Sequence, residues 1–255
     1  MLAAAVGFIA TTAAPRAAHA LNCTWQAGSA VNWNTSTANW SCSRLPTSAD
    51  SVIFSGASSN FGCTMNVDTT VVDYTINGSY TGAITSSGGD RLVTVTGNFT
   101  QGATSSTFTT PILLTVGGTL SITAGTFNSA ESVKVTGSFS QSGGTFVGTT
   151  GALLVAGNFT LSTGAFTAPT RLSVSGNFNY TGGTFTTTGS TVFLTPRAAA
   201  TPTHVFGGAA FNSSSRFRIR LARPVYAANS TGSKPGRTGE SPCFRNSSAL
   251  AVSWR

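Results

Sequence analysis

Residues 153–185 read LLVAGNFTLSTGAFTAPTRLSVSGNFNYTGGTF and carry one pattern twice. Leu153-Leu-Val155-Ala-Gly157-Asn-Phe159 is followed by Leu172-Ser-Val174-Ser-Gly176-Asn-Phe178, each an apolar-x-apolar-x-Gly-x-aromatic string. The same string opens upstream at Val93-Thr-Val95-Thr-Gly97-Asn-Phe99, Leu114-Thr-Val116-Gly-Gly118-Thr-Leu120 and Val133-Lys-Val135-Thr-Gly137-Ser-Phe139. Fainter copies centre on Phe54, Ile76 and Leu194, so the central residue recurs in steps of 22, 19, 21, 19, 20, 19 and 20. A second aromatic column, Phe127, Phe146, Phe166 and Phe185, follows the first by seven residues; Phe108 joins it after a two-residue insertion.

Alternation puts every second side chain on one face of an extended chain, so this pattern predicts short strands. A period near twenty is too short for a helix-pair repeat. The expected fold is all-β, a right-handed parallel β-helix (β-solenoid) with about twenty residues per coil. Each coil stacks like on like, and recurrent Gly sits where the chain bends or takes positive φ. A disordered Ser/Thr-rich stalk would scatter its Phe, and an antiparallel sandwich would not hold one identity pattern through eight steps. Eight coils at roughly 4.8 Å each predict a rod on the order of 40 Å long.

Composition agrees. Of 255 residues only 8% are charged, 29 are Gly, and 17 Phe outnumber Tyr and Trp together, a balance suited to an exported all-β protein whose aromatics fill an interior. The net charge of +8 is unevenly placed. Residues 21–196 hold four bases and five acids, whereas residues 197–255 hold nine bases and one acid. Basicity therefore argues nothing about nucleic-acid binding by the body of the chain.

The organisation reads as four parts. Residues 1–20 have an apolar run from Leu2 to Ala10 and a small-x-small site at Ala18-His19-Ala20, as in a signal peptide cut after Ala20. The run is too short to span a bilayer, and no later segment approaches spanning length. Met1 opens directly onto it without a basic stretch, so the true start is expected upstream. Residues 21–50 form a Trp-rich cap, residues 51–196 the repeats, and residues 197–255 a basic tail. That tail is either a cationic segment for an anionic surface or nucleic acid, or an out-of-frame or truncated end. The abrupt change in charge and periodicity favours the second reading.

Solenoid ends expose unpaired strand edges and need covering. Trp25, Trp33 and Trp40 suit a cap over the open mouth of the first coil; the rival use is a glycan-binding platform, since exposed amphipathic rings hold sugars. Of Cys23, Cys42, Cys63 and Cys243, one disulfide is expected among the first three. The Cys42–Cys63 pairing is preferred because it would tie the cap to the first coil. Zinc is discounted, since there is no C-x-x-C pair and no nearby His.

Trp25, Asn39-Trp40, Pro46 and Asp50 leading into Val52-Ile53-Phe54, followed by coils of the GNFT and GGTF kind, resemble the N-terminal module of bacterial secreted β-strand-repeat proteins. Through them the chain resembles autotransporter passenger and filamentous-adhesin-like β-helices, over about Cys23 to Leu194. The resemblance implies display or adhesion on a bacterial surface or outside the cell, and no catalytic residue is carried over from it. The expected partners are extracellular polysaccharide or host and cell-surface ligands, and not nucleic acid.

Chemistry is sparse. Asp68 and Asp73 are the closest acids and read as turn or edge residues rather than calcium ligands. His19 leaves with the leader and His204 lies at the failing end, so a Ser-His-Asp triad has no histidine. No catalytic, cofactor-binding or metal residue is assigned, and the chain is expected not to be an enzyme; the alternative is a glycan-binding module or a fragment of a polysaccharide-active β-helix. Ice binding would need a regular Thr array, and the residues flanking the central column are Thr75/Asn77, Thr94/Thr96, Thr115/Gly117, Lys134/Thr136, Leu154/Ala156 and Ser173/Ser175. Only one pair is Thr-x-Thr, so that flank carries no regular array.

Overall fold

Each repeat contains three apolar-centred stretches separated by Gly- and Ser-rich corners, and each stretch becomes a strand of its own. The computed structural model describes residues 20–87, 91–187, 189–194 and 204–206, with the backbone of 216–219. All regular structure there is strand except one 3₁₀ turn at Thr37–Asn39. Strands pair in parallel with their equivalents about twenty residues away, giving a β-solenoid of about seven turns. The coil from residue 92 shows the plan. Leu92–Val95 lies on face one, Phe99–Gln101 on face two and Thr107–Thr109 on face three.

Face one is a separate eight-stranded sheet. Its inward pairs run Val93/Val95, Leu114/Val116, Val133/Val135, Leu153/Val155, Leu172/Val174 and Val192/Leu194, in register throughout. Faces two and three join in one 15-stranded sheet, because Phe139–Gly148 and Phe159–Ala168 run round the corner as single strands. Both aromatic columns form as the spacing predicts. On face two Phe139 stacks on Phe159 at 4.9 Å and Phe159 on Phe178 at 4.8 Å. On face three Phe146 stacks on Phe166 at 4.7 Å. The two columns meet edge to face, as at Phe159–Phe166 with an interplanar angle of 83°. Stacked and edge-on pairs each contribute roughly 0.5–1.5 kcal/mol beyond burial.

The ladder read from sequence mixes two columns at its start. Ser51–Phe54 and Tyr74–Ile76 are rungs of face two, where Val52, Tyr74 and Phe99 align. The rung beneath Leu92–Val95 on face one is instead Thr69–Val71. Both faces use apolar-x-apolar strands, so spacing alone could not tell Ile76 from Val71 as the partner in a column.

Two further boundaries move. Residues 21–50 are not merely a lid: Asn22–Thr24 pairs with Ser51–Ile53, and Val31–Asn32 with Cys63–Thr64, so the cap supplies the first rungs of faces two and three. The repeats also pass residue 196. His204–Phe206 pairs with Phe178–Tyr180, and Arg216–Ile219 with Thr191–Leu194. Within the stretch read as failing, Arg216-Phe-Arg-Ile219 keeps the face-one register, with Phe217 and Ile219 paired to Val192 and Leu194 and the two arginines to Thr191 and Phe193. The expected leader at 1–19, and Cys243 with the rest of the tail, lie outside the described residues.

The corner glycines serve two purposes. Gly125, Gly144, Gly164 and Gly183, ahead of face three, have φ between +58° and +90°, a region that favours Gly. The motif glycines after face one have no positive φ. A Cβ at Gly157 would meet the Gly137 carbonyl oxygen at 2.5 Å, and one at Gly176 the Gly157 oxygen at 2.5 Å. Close stacking of corner on corner, not backbone freedom, requires them.

Candidate functional site

The N-terminal residues gather the side chains that composition makes rarest. Trp25, Trp33 and Trp40 are 0%, 1% and 1% exposed. Trp40 lies 5.0 Å from Trp25 and 4.5 Å from Trp33, and all three rings pack on Phe54, the first inward aromatic of face two. Two of the indole N–H groups are used internally: Trp25 Nε1 donates to the Phe61 carbonyl at 2.9 Å, and Trp40 Nε1 to that of Trp33 at 3.2 Å. These rings plug the mouth of the core and offer no open face to a sugar.

The disulfide joins Cys23 to Cys42, not Cys42 to Cys63. Cys23 stands on the first strand of face two, where the cap chain doubles back: Trp25 and Trp40 form an antiparallel bridge that brings Cys42 alongside. Cys63 points into face three as a free thiol, and burial pushes its pKa up. Asp50 is 0% exposed and accepts from the backbone N–H groups of Leu21 and Thr47 at 3.0 and 2.8 Å, from Thr47 Oγ1 at 2.7 Å and from both Arg44 terminal nitrogens. Burial alone would raise its pKa, but the Arg44, Thr47 and Leu21 hydrogen bonds together hold the carboxyl below the usual carboxylate range. It closes the loop entering the first coil.

Along the rod, polar side chains bridge rungs. Asp73 Oδ1 accepts from the Asn98 N–H at 2.7 Å, Asn98 Oδ1 from the Thr119 N–H at 2.9 Å, and Asn158 Oδ1 from the Asn177 N–H at 2.9 Å. Asn98 and Asn158 of the GNF strings thus tie one corner to the next. Asp68 does likewise for Leu92. Gln101 and Gln141, wholly buried, donate their amides to corner carbonyls. Sequence reading passed over both, although their place two residues after the Phe column marks them as inward. His204 Nδ1 accepts from the Phe178 N–H at 3.2 Å, and burial lowers its pKa. Among the described residues no three His, Cys, Asp or Glu come together as metal ligands, and no helix is long and apolar enough to cross a membrane.

What remains outward is the wall of each face. Face one is mixed: Leu92 and Leu154 are exposed, Lys134 and Arg171 are charged, and Arg171 lies 5.1 Å from the centre of the Phe193 ring. Face two carries one column, in which Thr75, Thr100, Ser121, Ser140 and Thr160 are followed by Asn179 and Val205. Face three carries two. One runs Ala83, Thr107, Thr126, Thr145, Ala165, Thr184; the other, two residues along each strand, runs Thr85, Thr109, Asn128, Val147, Thr167, Thr186. Beside the aliphatic column one rung is Thr-x-Thr; flanking the second Phe column two are, Thr107-Phe-Thr109 and Thr184-Phe-Thr186, and every rung there carries at least one Thr. The chain matches no protein-family model, no curated protein and no solved structure.

Proposed function

We propose that this chain is an exported structural and adhesive scaffold, a rod that acts through its long walls and carries no catalytic step. The observation that carries the reading is how the polar groups are used. Asp50, Asp68, Asp73 and the corner asparagines are committed to holding backbone between rungs, while the outward columns of faces two and three are uncharged and repetitive. Catalysis needs convergent titratable groups in a concave, water-excluding place; a flat wall of hydroxyls suits contact over area. A cap tied by Cys23–Cys42 fits an oxidising compartment, and with the leader-like start it supports placement outside a bacterial cell, in the manner of secreted β-strand-repeat adhesins. The expected ligands are polysaccharides or other cell-surface material.

Expression of the full chain in a bacterial host, followed by fractionation and non-reducing peptide mapping, tests the reading. Export with Cys23 joined to Cys42 is expected. Retention in the cytoplasm with reduced cysteines, or release of sugar fragments when the protein is incubated with polysaccharides, would overturn it.

A further inference from the structure

We propose that face three binds ice. The inference deepens the scaffold reading by naming one wall and its partner, and rests on it only for a folded rod in contact with external water. Parallel in-register pairing from Ala83 through Thr184 fixes both columns. Rungs repeat at roughly 4.7–4.9 Å along the rod, and outward residues two apart on a strand stand about 6.6–6.8 Å across it. The result is a near-rectangular grid of hydroxyl and methyl groups, close in both directions to the oxygen spacings on a prism plane of hexagonal ice.

Three features distinguish this wall from the others. Thr fills most of its grid points, and the four interruptions, at Ala83, Ala165, Val147 and Asn128, are small and uncharged. Thr is β-branched with a restricted χ1, so the grid is held before any partner arrives. No charged residue stands in either column, whereas Lys134 and Arg171 break face one. Among the described residues the hydroxyls of Thr107, Thr126, Thr145 and Thr184 have no protein partner, unlike the corner hydroxyls of Thr149 and Thr163, which donate to carbonyls of the coil below. Face two offers a single column of mixed Thr, Ser and Asn, and so sets out no second direction for a grid.

The wall has neither the concavity a small ligand needs nor the projecting aromatic that anchors a sugar. A flat, uncharged, two-dimensionally repeating partner is what it fits, and crystalline water has that form.

The full chain, labelled and checked by far-ultraviolet circular dichroism, is partitioned into slowly growing polycrystalline ice beside an inert globular protein. The expected result is enrichment of the wild type in the ice. Thr126→Arg with Thr145→Arg, on adjacent rungs of face three, should abolish it, and Thr160→Arg on face two should not. If the Arg pair disturbs folding, Thr126→Ser with Thr145→Ser keeps the hydroxyls, removes the methyls and should weaken enrichment. Exclusion of the folded wild type from ice, equal loss from the face-two variant, or face-three-dependent pelleting with insoluble polysaccharide without enrichment in ice would each overturn the inference. A folded, exported chain excluded from ice overturns this inference alone and leaves the scaffold reading standing.

Discussion

The cap and the coils are stabilised in opposite ways. Residues 21–50 depend on single groups: three Trp, one disulfide and one buried carboxylate, none of which has an equivalent elsewhere among the described residues. From residue 92 onward most inward side chains have a like neighbour above or below, and the columns tolerate exchange, as where Leu120 stands between Phe99 and Phe139 and Ile122 between Gln101 and Gln141. Stability in a linear repeat is a sum over neighbours, so a defect in one coil is shared, while a defect at the end unseals the core.

That contrast can be broken or sharpened by five measurements. Trp40→Ala should have the largest effect, about 4 kcal/mol by chemical denaturation, because a wholly buried ring in contact with Trp25, Trp33 and Phe54 leaves a cavity. A loss no greater than that of a mid-rod change would refute the idea that the cap is singular. Reduction of Cys23–Cys42, or Cys23→Ser with Cys42→Ser, should lower stability by about 3 kcal/mol for a loop of this size, with early exchange of the Ser51–Phe54 amides. Asp50→Asn should cost about 2 kcal/mol at neutral pH, since Arg44 loses its charged partner.

The pH dependence follows from the sign of the Asp50 shift. Its folded pKa is depressed, so its contribution is fully present above the ordinary carboxylate value of about 3.9 and is lost as pH falls through the lower folded value. Wild type should lose stability in that acid window, and the Asn variant should lose markedly less. The smallest effect, about 1 kcal/mol, is expected for Phe139→Leu, because the column already accepts Leu one rung below; a cap-sized loss measured by the same denaturation would erase the distinction between the two regions.

Much was legible because repetition amplifies a weak signal. One coil with two aromatics and a Gly says little; five in step expose both Phe columns and the strand order. The beginning and end were harder for the same reason. Each rung there occurs once, so Ile76 was grouped with the wrong column and Arg216-Phe-Arg-Ile219 was lost among its charges. The Cys23–Cys42 pairing depends on how the cap chain doubles back, which no spacing records. The Thr wall is not legible in the same way, because its rungs flank the second Phe column and only two of them repeat Thr-x-Thr.

By itself the sequence determined that the chain is a stack of parallel coils, because alternation and a twenty-residue period admit few other ways to bury like beside like. It also determined which aromatics face inward. Only the tertiary structure decided which outward residues share a wall. Three strands per coil turn at two kinds of corner, and whether Thr109 adjoins Asn128 or Thr115 depends on where those corners fall. Neighbours on a face lie one coil apart in sequence but under 5 Å apart in space, and register alone brings them together.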